Sequence, residues 1–204
     1  MIIVIDGLDG VGKTSVIETL AKDEGWINLA DEVKEMRQHV RTAPDHSPSV
    51  NRMLNLAFLK HMSDKASKLS KEGKTVILDR YTPSHGAYAK EFNKKAIKAG
   101  EFPDIEFKQL NLIKPDMVII LKVREDVRAA RLFARDKQAP HELVLSKEHA
   151  IRKNIQKRLE KDADIIIDTS DRSAAETARL IKIEIAAFLQ TSKNIKNPNK
   201  PKEP

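Results

Sequence analysis

Residues 5–15 read IDGLDGVGKTS, with three glycines, one lysine and two hydroxyl side chains set between an aliphatic run and a helix-like segment. The preceding Ile2, Ile3, Val4 and Ile5 are uniformly apolar and β-branched, the pattern of a strand buried on both faces. Gly7, Gly12, Lys13 and Thr14 satisfy the spacing G-x-x-x-x-G-K-[ST]. In such a loop the glycines let backbone N–H groups ring a phosphate chain, the lysine reaches its β- and γ-phosphates, and the threonine hydroxyl supplies a magnesium ligand. The helix expected at 14–21 points its partial positive N-terminus at the same anion. A pattern this short also arises by accident in Gly-rich turns, but its place directly after a strand and before VIETLAK is the context a triphosphate cradle requires. The loop therefore reads as a nucleotide-triphosphate cradle formed by Gly7, Asp9, Gly10, Val11, Gly12, Lys13, Thr14 and Ser15.

A chain of 204 residues supports one well-buried core, so a single domain over 1–190 is expected. No apolar stretch approaches the roughly 20 residues of a membrane span, and no basic leader precedes a cleavable apolar region. Without cysteine, disulfides, thiolate metal sites and cysteine nucleophiles are excluded, and a cytoplasmic enzyme without membrane partners is the expectation. Of the net charge of +7, three units come from the tail SKNIKNPNKPKEP, whose Asn, Lys and Pro content predicts disorder over 191–204. The remaining excess suits a protein that handles several phosphate groups. Aromatic content of 4% is poor for base-stacking platforms, which disfavours nucleic acid as the main substrate.

Strand-like and helix-like segments alternate along the rest of the chain. ADEVKEMRQHVR is expected to be helical, and the two-proline loop TAPDHSPS follows it. A long helix capped by Ser49 then carries Val50, Met53, Leu54, Leu56, Ala57, Leu59 and Met62 at helical spacing and ends at Gly73. KTVILD, PDMVIILKV and ADIIIDTS read as three further buried strands, the last two followed by the helical stretches EDVRAARLFARD and SAAETARLIKIEIAAFL. This alternation predicts an α/β fold with a central parallel sheet between helical layers, and ligands beyond the C-terminal strand ends.

VILDRYTPSHGAY places Asp79 at such a strand end, where a carboxylate can hold magnesium through water beside the cradle. The next residue, Arg80, carries a planar fork suited to a second phosphoryl group. An isolated Asp–Arg pair would read as a surface turn, but the buried strand before it favours a site that aligns donor and acceptor phosphates. Three readings follow: a kinase acting on a phosphate; a nucleoside or other small-molecule kinase in which Asp79 or Asp9 is the base; and a nucleotide-binding switch or regulatory ATPase, which has no need of an acceptor clamp.

These residues resemble the thymidylate kinase-like nucleoside monophosphate kinases, a family of P-loop kinases. GLDGVGKTS is similar to the family's phosphate loop, Asp79, Arg80, Tyr81, Ser84, Ala87 and Tyr88 match its D-R-Y-x-x-S-x-x-A-Y motif, and KPDMVIILKVREDVRAAR resembles its Pro-Asp strand and arginine-bearing helix. The resemblance covers most of 1–189 and implies a P-loop NTPase-type three-layer α/β/α domain with a short lid at about 132–148, ATP and Mg2+ as cofactors, and a (deoxy)nucleoside monophosphate, most simply dTMP, as acceptor; a homodimer is compatible with it. It implies that Asp9 contacts the acceptor's sugar hydroxyl, Asp79 lies near magnesium and the acceptor phosphate, Arg80 clamps that phosphate, Ser84 lines the acceptor site, Tyr88 disfavours a 2′-hydroxyl, and Arg131 packs on adenine. The phosphate loop itself has no basic residue among Leu8, Asp9, Gly10 and Val11, so Arg135 and Lys137 of RLFARDKQ are the lid cations left to meet the γ-phosphoryl charge. Arg128, Arg131 and Arg135 lie at helical spacing, which by itself describes a solvated basic face.

The chain departs from the family pattern on the acceptor side. The Arg-Glu-Pro-Gly segment that follows the family's own second strand is missing, with only INLADEVKEMRQHVR in that region, leaving Arg37 as a replacement phosphate contact. Leu56 and Lys60 stand where an aromatic residue and an arginine address the base, although leucine cannot stack as a ring does and lysine has no bidentate fork. Ala89 replaces the glutamine that commonly follows the second tyrosine.

Overall fold

The computed structural model describes residues 1–35, 47–92, 106–135 and 148–196. Five parallel strands form the sheet: β1 (Ile2–Asp6), β2 (Ile27–Asn28), β3 (Val76–Asp79), β4 (Met117–Lys122) and β5 (Ile165–Asp168), in the order β2-β3-β1-β4-β5. The helices are α1 (Lys13–Glu24), α2 (Pro48–Lys71), α3 (Thr82–Phe92), α4 (Glu125–Phe133), α5 (His149–Lys161) and α6 (Ala174–Lys196), with short 3-10 turns at Asp31–Val33 and Phe107–Leu110. Right-handed crossovers from this strand order put α1 on one face and α2 to α5 on the other. The packing agrees: α1 lies against α6, and α3 against α5.

The aliphatic strands meet protein on both faces. Ile2–Asp6 is buried throughout, and Ile77, Leu78, Ile119 and Ile120 join it in one core with Val16, Ile17 and Leu20 of α1. β1 is the central strand, flanked by β3 and β4, so the loop after it opens where the chain turns to opposite sides of the sheet.

Several local expectations are corrected. The cap of α2 is Ser47, whose Oγ accepts from Val50 N at 3.3 Å, rather than Ser49; Pro48 is preorganised for the first helical turn and shifts the start by two residues. The two-residue edge strand β2 was not expected, because two residues carry no periodicity. The segment expected to be helical from 30 to 41 begins as the 3-10 turn at Asp31–Val33, and its part beyond 35 lies outside the described residues. β5 is an edge strand, so Ile166 is exposed instead of buried. Helix α6 runs to Lys196, past the expected boundary at 190; residues 197–204 lie outside the described residues. Among the described residues no helix is long and apolar enough to cross a membrane.

Candidate active site

The phosphate loop leaves β1 at Asp6 and enters α1 at Lys13. Gly7 packs so close to β4 that a β-carbon on it would lie 2.4 Å from the Leu121 carbonyl oxygen, and one on Gly10 would lie 2.9 Å from Arg128 Cγ. Both positions are closed to any side chain. Gly12 caps α1 in the left-handed conformation. Lys13 is buried and its Nζ donates to the carbonyl oxygens of Gly7 and Leu8, each at 2.9 Å, so the ammonium sits inside the ring of the loop. Burial, reinforced by the Arg80 charge, lowers its pKa against the pull of Asp9, Asp79 and Asp6. Thr14 and Ser15 are exposed at the helix start.

Asp6, unremarked in the sequence, organises the floor. It is fully buried; Oδ1 accepts from Gly7 N at 2.8 Å, and Oδ2 accepts from Ser84 N at 3.1 Å and Tyr81 N at 3.4 Å. One carboxylate thus joins the phosphate loop to the start of α3. Burial raises its pKa, and the Arg80 and Lys13 charges oppose that rise. Its only sequence signal was a charge directly before the first loop glycine.

Arg80 gathers the expected acceptor residues. Its Nη2 is paired with Asp9 Oδ1, its Nη1 lies 3.8 Å from Asp6 Oδ1, and its guanidinium lies 5.1 Å from the Tyr88 ring centroid. Tyr88 donates its hydroxyl hydrogen to Asp9 Oδ2 at 3.3 Å. Burial works against the Arg80 charge, yet Asp9, Tyr88, Asp6 and Asp79 together hold its pKa well above the ordinary value. Burial also raises the Tyr88 pKa, so its hydroxyl stays a donor. Ser84 is buried beside them, its Oγ donating to Tyr81 O at 3.3 Å. Asp79 Oδ1 is shielded from solvent without a hydrogen-bond partner among the described residues.

On the other side of the loop lies a cavity of about 380 Å³, bordered by Gly10, Gly12, Arg131, Arg135, Thr169 and Arg172. Arg131 donates to Thr169 Oγ1 at 3.1 Å and Thr169 O at 2.8 Å, while the Thr169 hydroxyl donates to Val11 O at 2.9 Å. The expected adenine-packing arginine is therefore braced against the phosphate loop through a threonine that sequence reading missed. Arg172 was missed too, since it follows β5 in a loop without motif. The reading of Arg128, Arg131 and Arg135 as one solvated face fails: Arg128 is 2% exposed, while Arg135 is exposed at the cavity's edge.

Two acceptor-side expectations are not gathered into this cluster. Leu56 is buried, and Lys60 forms its ion pair with Asp64 one turn along α2. Arg37, Lys137 and most of the lid expected at 132–148 lie outside the described residues.

A family model described as Thymidylate kinase matches residues 5–181. A thymidylate kinase of Wolbachia pipientis is 28% identical over 80% of this chain and 83% of its own length. A probable thymidylate kinase of Archaeoglobus fulgidus is 27% identical over 95% of this chain and 99% of its own. Among solved structures, thymidylate kinase from Candida albicans superposes with a TM-score of 0.63 at 19% identity, covering 95% of this chain and 92% of that one. A deoxyadenosine kinase from M. mycoides gives 0.55 at 17% identity, covering 92% and 100%. These structural likenesses bear on the fold, whereas the family match takes in the phosphate loop, Asp79–Arg80 and the Arg131 helix together. The chain belongs to the thymidylate kinase family of nucleoside monophosphate kinases.

Proposed function

We propose that this enzyme transfers the γ-phosphoryl group of ATP to dTMP, giving dTDP and ADP. An oxygen of the acceptor phosphate attacks the γ-phosphorus, and the bond to the β,γ-bridging oxygen breaks as ADP leaves. Such a reaction needs alignment and charge stabilisation more than covalent help from the protein. Lys13 and the loop N–H groups hold the donor phosphates, Arg131 supports adenine, and Arg80 places the acceptor phosphate. Asp9 and Tyr88 form the sugar-facing wall, and Arg135 supplies the lid-side cation.

The oxygens present fit a hydrated magnesium ion: Asp79 Oδ1 is shielded and without a hydrogen bond among the described residues, and Thr14 is exposed beside the cradle. When bound, the ion neutralises charge on the β- and γ-phosphates.

The observation that carries this reading is the Arg80 cluster, in which one left-handed residue joins Asp9, Asp6 and Tyr88 immediately after Asp79. Initial rates with ATP, Mg2+ and a panel of monophosphates and nucleosides test it. dTMP is expected to give the highest kcat/KM, and thymidine at least about 30-fold less, the lower end of what a lost charged contact costs. A preference for thymidine, or ATP hydrolysis indifferent to every acceptor, overturns it.

A further inference from the structure

Arg128 is a buried charge that the mechanism above does not use. Its Nε and Nη2 donate to the two carboxylate oxygens of Glu125 at 3.0 and 2.8 Å, which fixes the plane of the guanidinium. The remaining nitrogen, Nη1, donates to the Asp9 carbonyl oxygen at 3.4 Å. That bond is long, but the fork with Glu125 holds the donor in place. The aliphatic stem covers the same spot, since a β-carbon on Gly10 would collide with Arg128 Cγ.

The consequence lies in the peptide unit between Asp9 and Gly10. No described peptide is cis, and in a trans peptide the C=O and N–H point to opposite sides. With the Asp9 carbonyl turned to Arg128, the Gly10 N–H points away from it. Gly10 borders the donor cavity, and its N–H donates to no group among the described residues. We infer that Arg128 is a positioning residue that locks the Asp9–Gly10 peptide with its N–H toward the donor phosphates. It thereby supplies, from outside a loop that has no basic residue among Leu8, Asp9, Gly10 and Val11, a cation that keeps the loop in its anion-receiving form. Arg152 of α5 reaches Glu125 Oε1 at 3.1 Å, so the carboxylate that aims Arg128 is shared with the helix after residues 136–147.

This assignment rests on the donor reading of the loop, and the test separates the two. Binding of ATP and of adenosine is measured calorimetrically for the wild type, Arg128→Met and Arg128→Lys, alongside kcat and the KM for dTMP. A wild type that binds no ATP sinks the donor reading itself. With ATP binding intact, Arg128→Met is expected to lose about tenfold or more in ATP affinity and kcat, as when a partner that orients a binding group is removed. Its adenosine affinity and its KM for dTMP should stay within about twofold, and Arg128→Lys, which keeps the charge without the fork, should fall between. Wild-type kcat and ATP affinity in a folded Arg128→Met, or equal losses for ATP and adenosine, overturn the proposal. If Arg128→Met does not unfold cooperatively, Arg128→Lys decides: selective loss of ATP over adenosine supports the role, and wild-type values at a lowered melting temperature overturn it.

Discussion

Arg80 has a φ of 69°, in the left-handed region that a β-carbon disfavours by about 1–2 kcal/mol. Its N–H still donates to Ile5 O at 3.2 Å, so the backbone leaves the sheet only after its last ladder bond while the side chain swings toward Asp9. Strain of this kind persists where surroundings over-determine it, and here two carboxylates and a tyrosine ring do so. Arg80→Ala is expected to cost about 2–5 kcal/mol in kcat/KM for dTMP, with the Kd of ATP changed less than about threefold. Steady-state kinetics with each substrate varied, together with ATP titrations, check the split; an equal loss on both substrates contradicts an acceptor clamp. The loop residues and Asp79–Arg80 were expected from the spacing that their chemistry fixes along the chain, and Tyr88 from the resemblance to the family's motif. Asp6, Thr169 and Arg128 were not, because their roles depend on partners 78, 158 and 119 residues away. Lys60 shows the converse: a family-like position whose side chain finds a nearer acid in Asp64.

At the scale of elements, apolar runs announced β1, β3, β4 and β5; β5 lies at an edge, which leaves Ile166 exposed, and the two-residue edge strand β2 carries no such run. Helix ends were less legible than helix bodies, as α2 shows. Ser47→Ala is expected to lower stability by about 1 kcal/mol, measured by urea unfolding, because the Ser47 oxygen accepts from the Val50 N–H of the first turn. A second prediction concerns Glu125, which joins α4 to α5. Its pKa is lowered from 4.5, first by the hydrogen bonds from Arg128 and then by the Arg128 and Arg152 charges, with partial burial opposing. A depressed carboxylate stabilises the fold above its unfolded pKa, and that contribution is lost as pH falls through the folded value. Glu125→Gln should therefore be less stable than the wild type at pH 7, with the gap closing as pH drops below about 4.5. Urea midpoints across pH 3–7 check this, and a gap that stays constant or widens in acid contradicts the assignment.

For the whole molecule, the decisive question is where the cooperative unit ends, because α6 continues beyond the core it closes. Ala178 and Ile181 are buried and Ile185 is 4% exposed, while Phe188 packs partly on the same core. Leu189 is already 41% exposed. The helix thus keeps its hydrogen bonds after it has left the sheet, and composition alone, which placed the boundary at 190, registered the loss of apolar surface but not the persistence of helix. Thr191, the last residue of α6 whose burial is described, is exposed, and most helical stability in a protein comes from packing. Truncation after Gln190 is therefore expected to cost less than about 1 kcal/mol and to leave kcat unchanged, because among the described residues none that borders the donor cavity lies beyond Thr177. Truncation after Glu184 removes Ile185 and Phe188 together, and should cost about 3–5 kcal/mol or more, the range for emptying a large core position. Urea unfolding of the two shortened proteins checks the contrast. Equal, small losses would mean that Ile185 is dispensable to the core, and a large loss on cutting after Gln190 would mean that the last turns of α6 are packed and that the domain extends to Lys196.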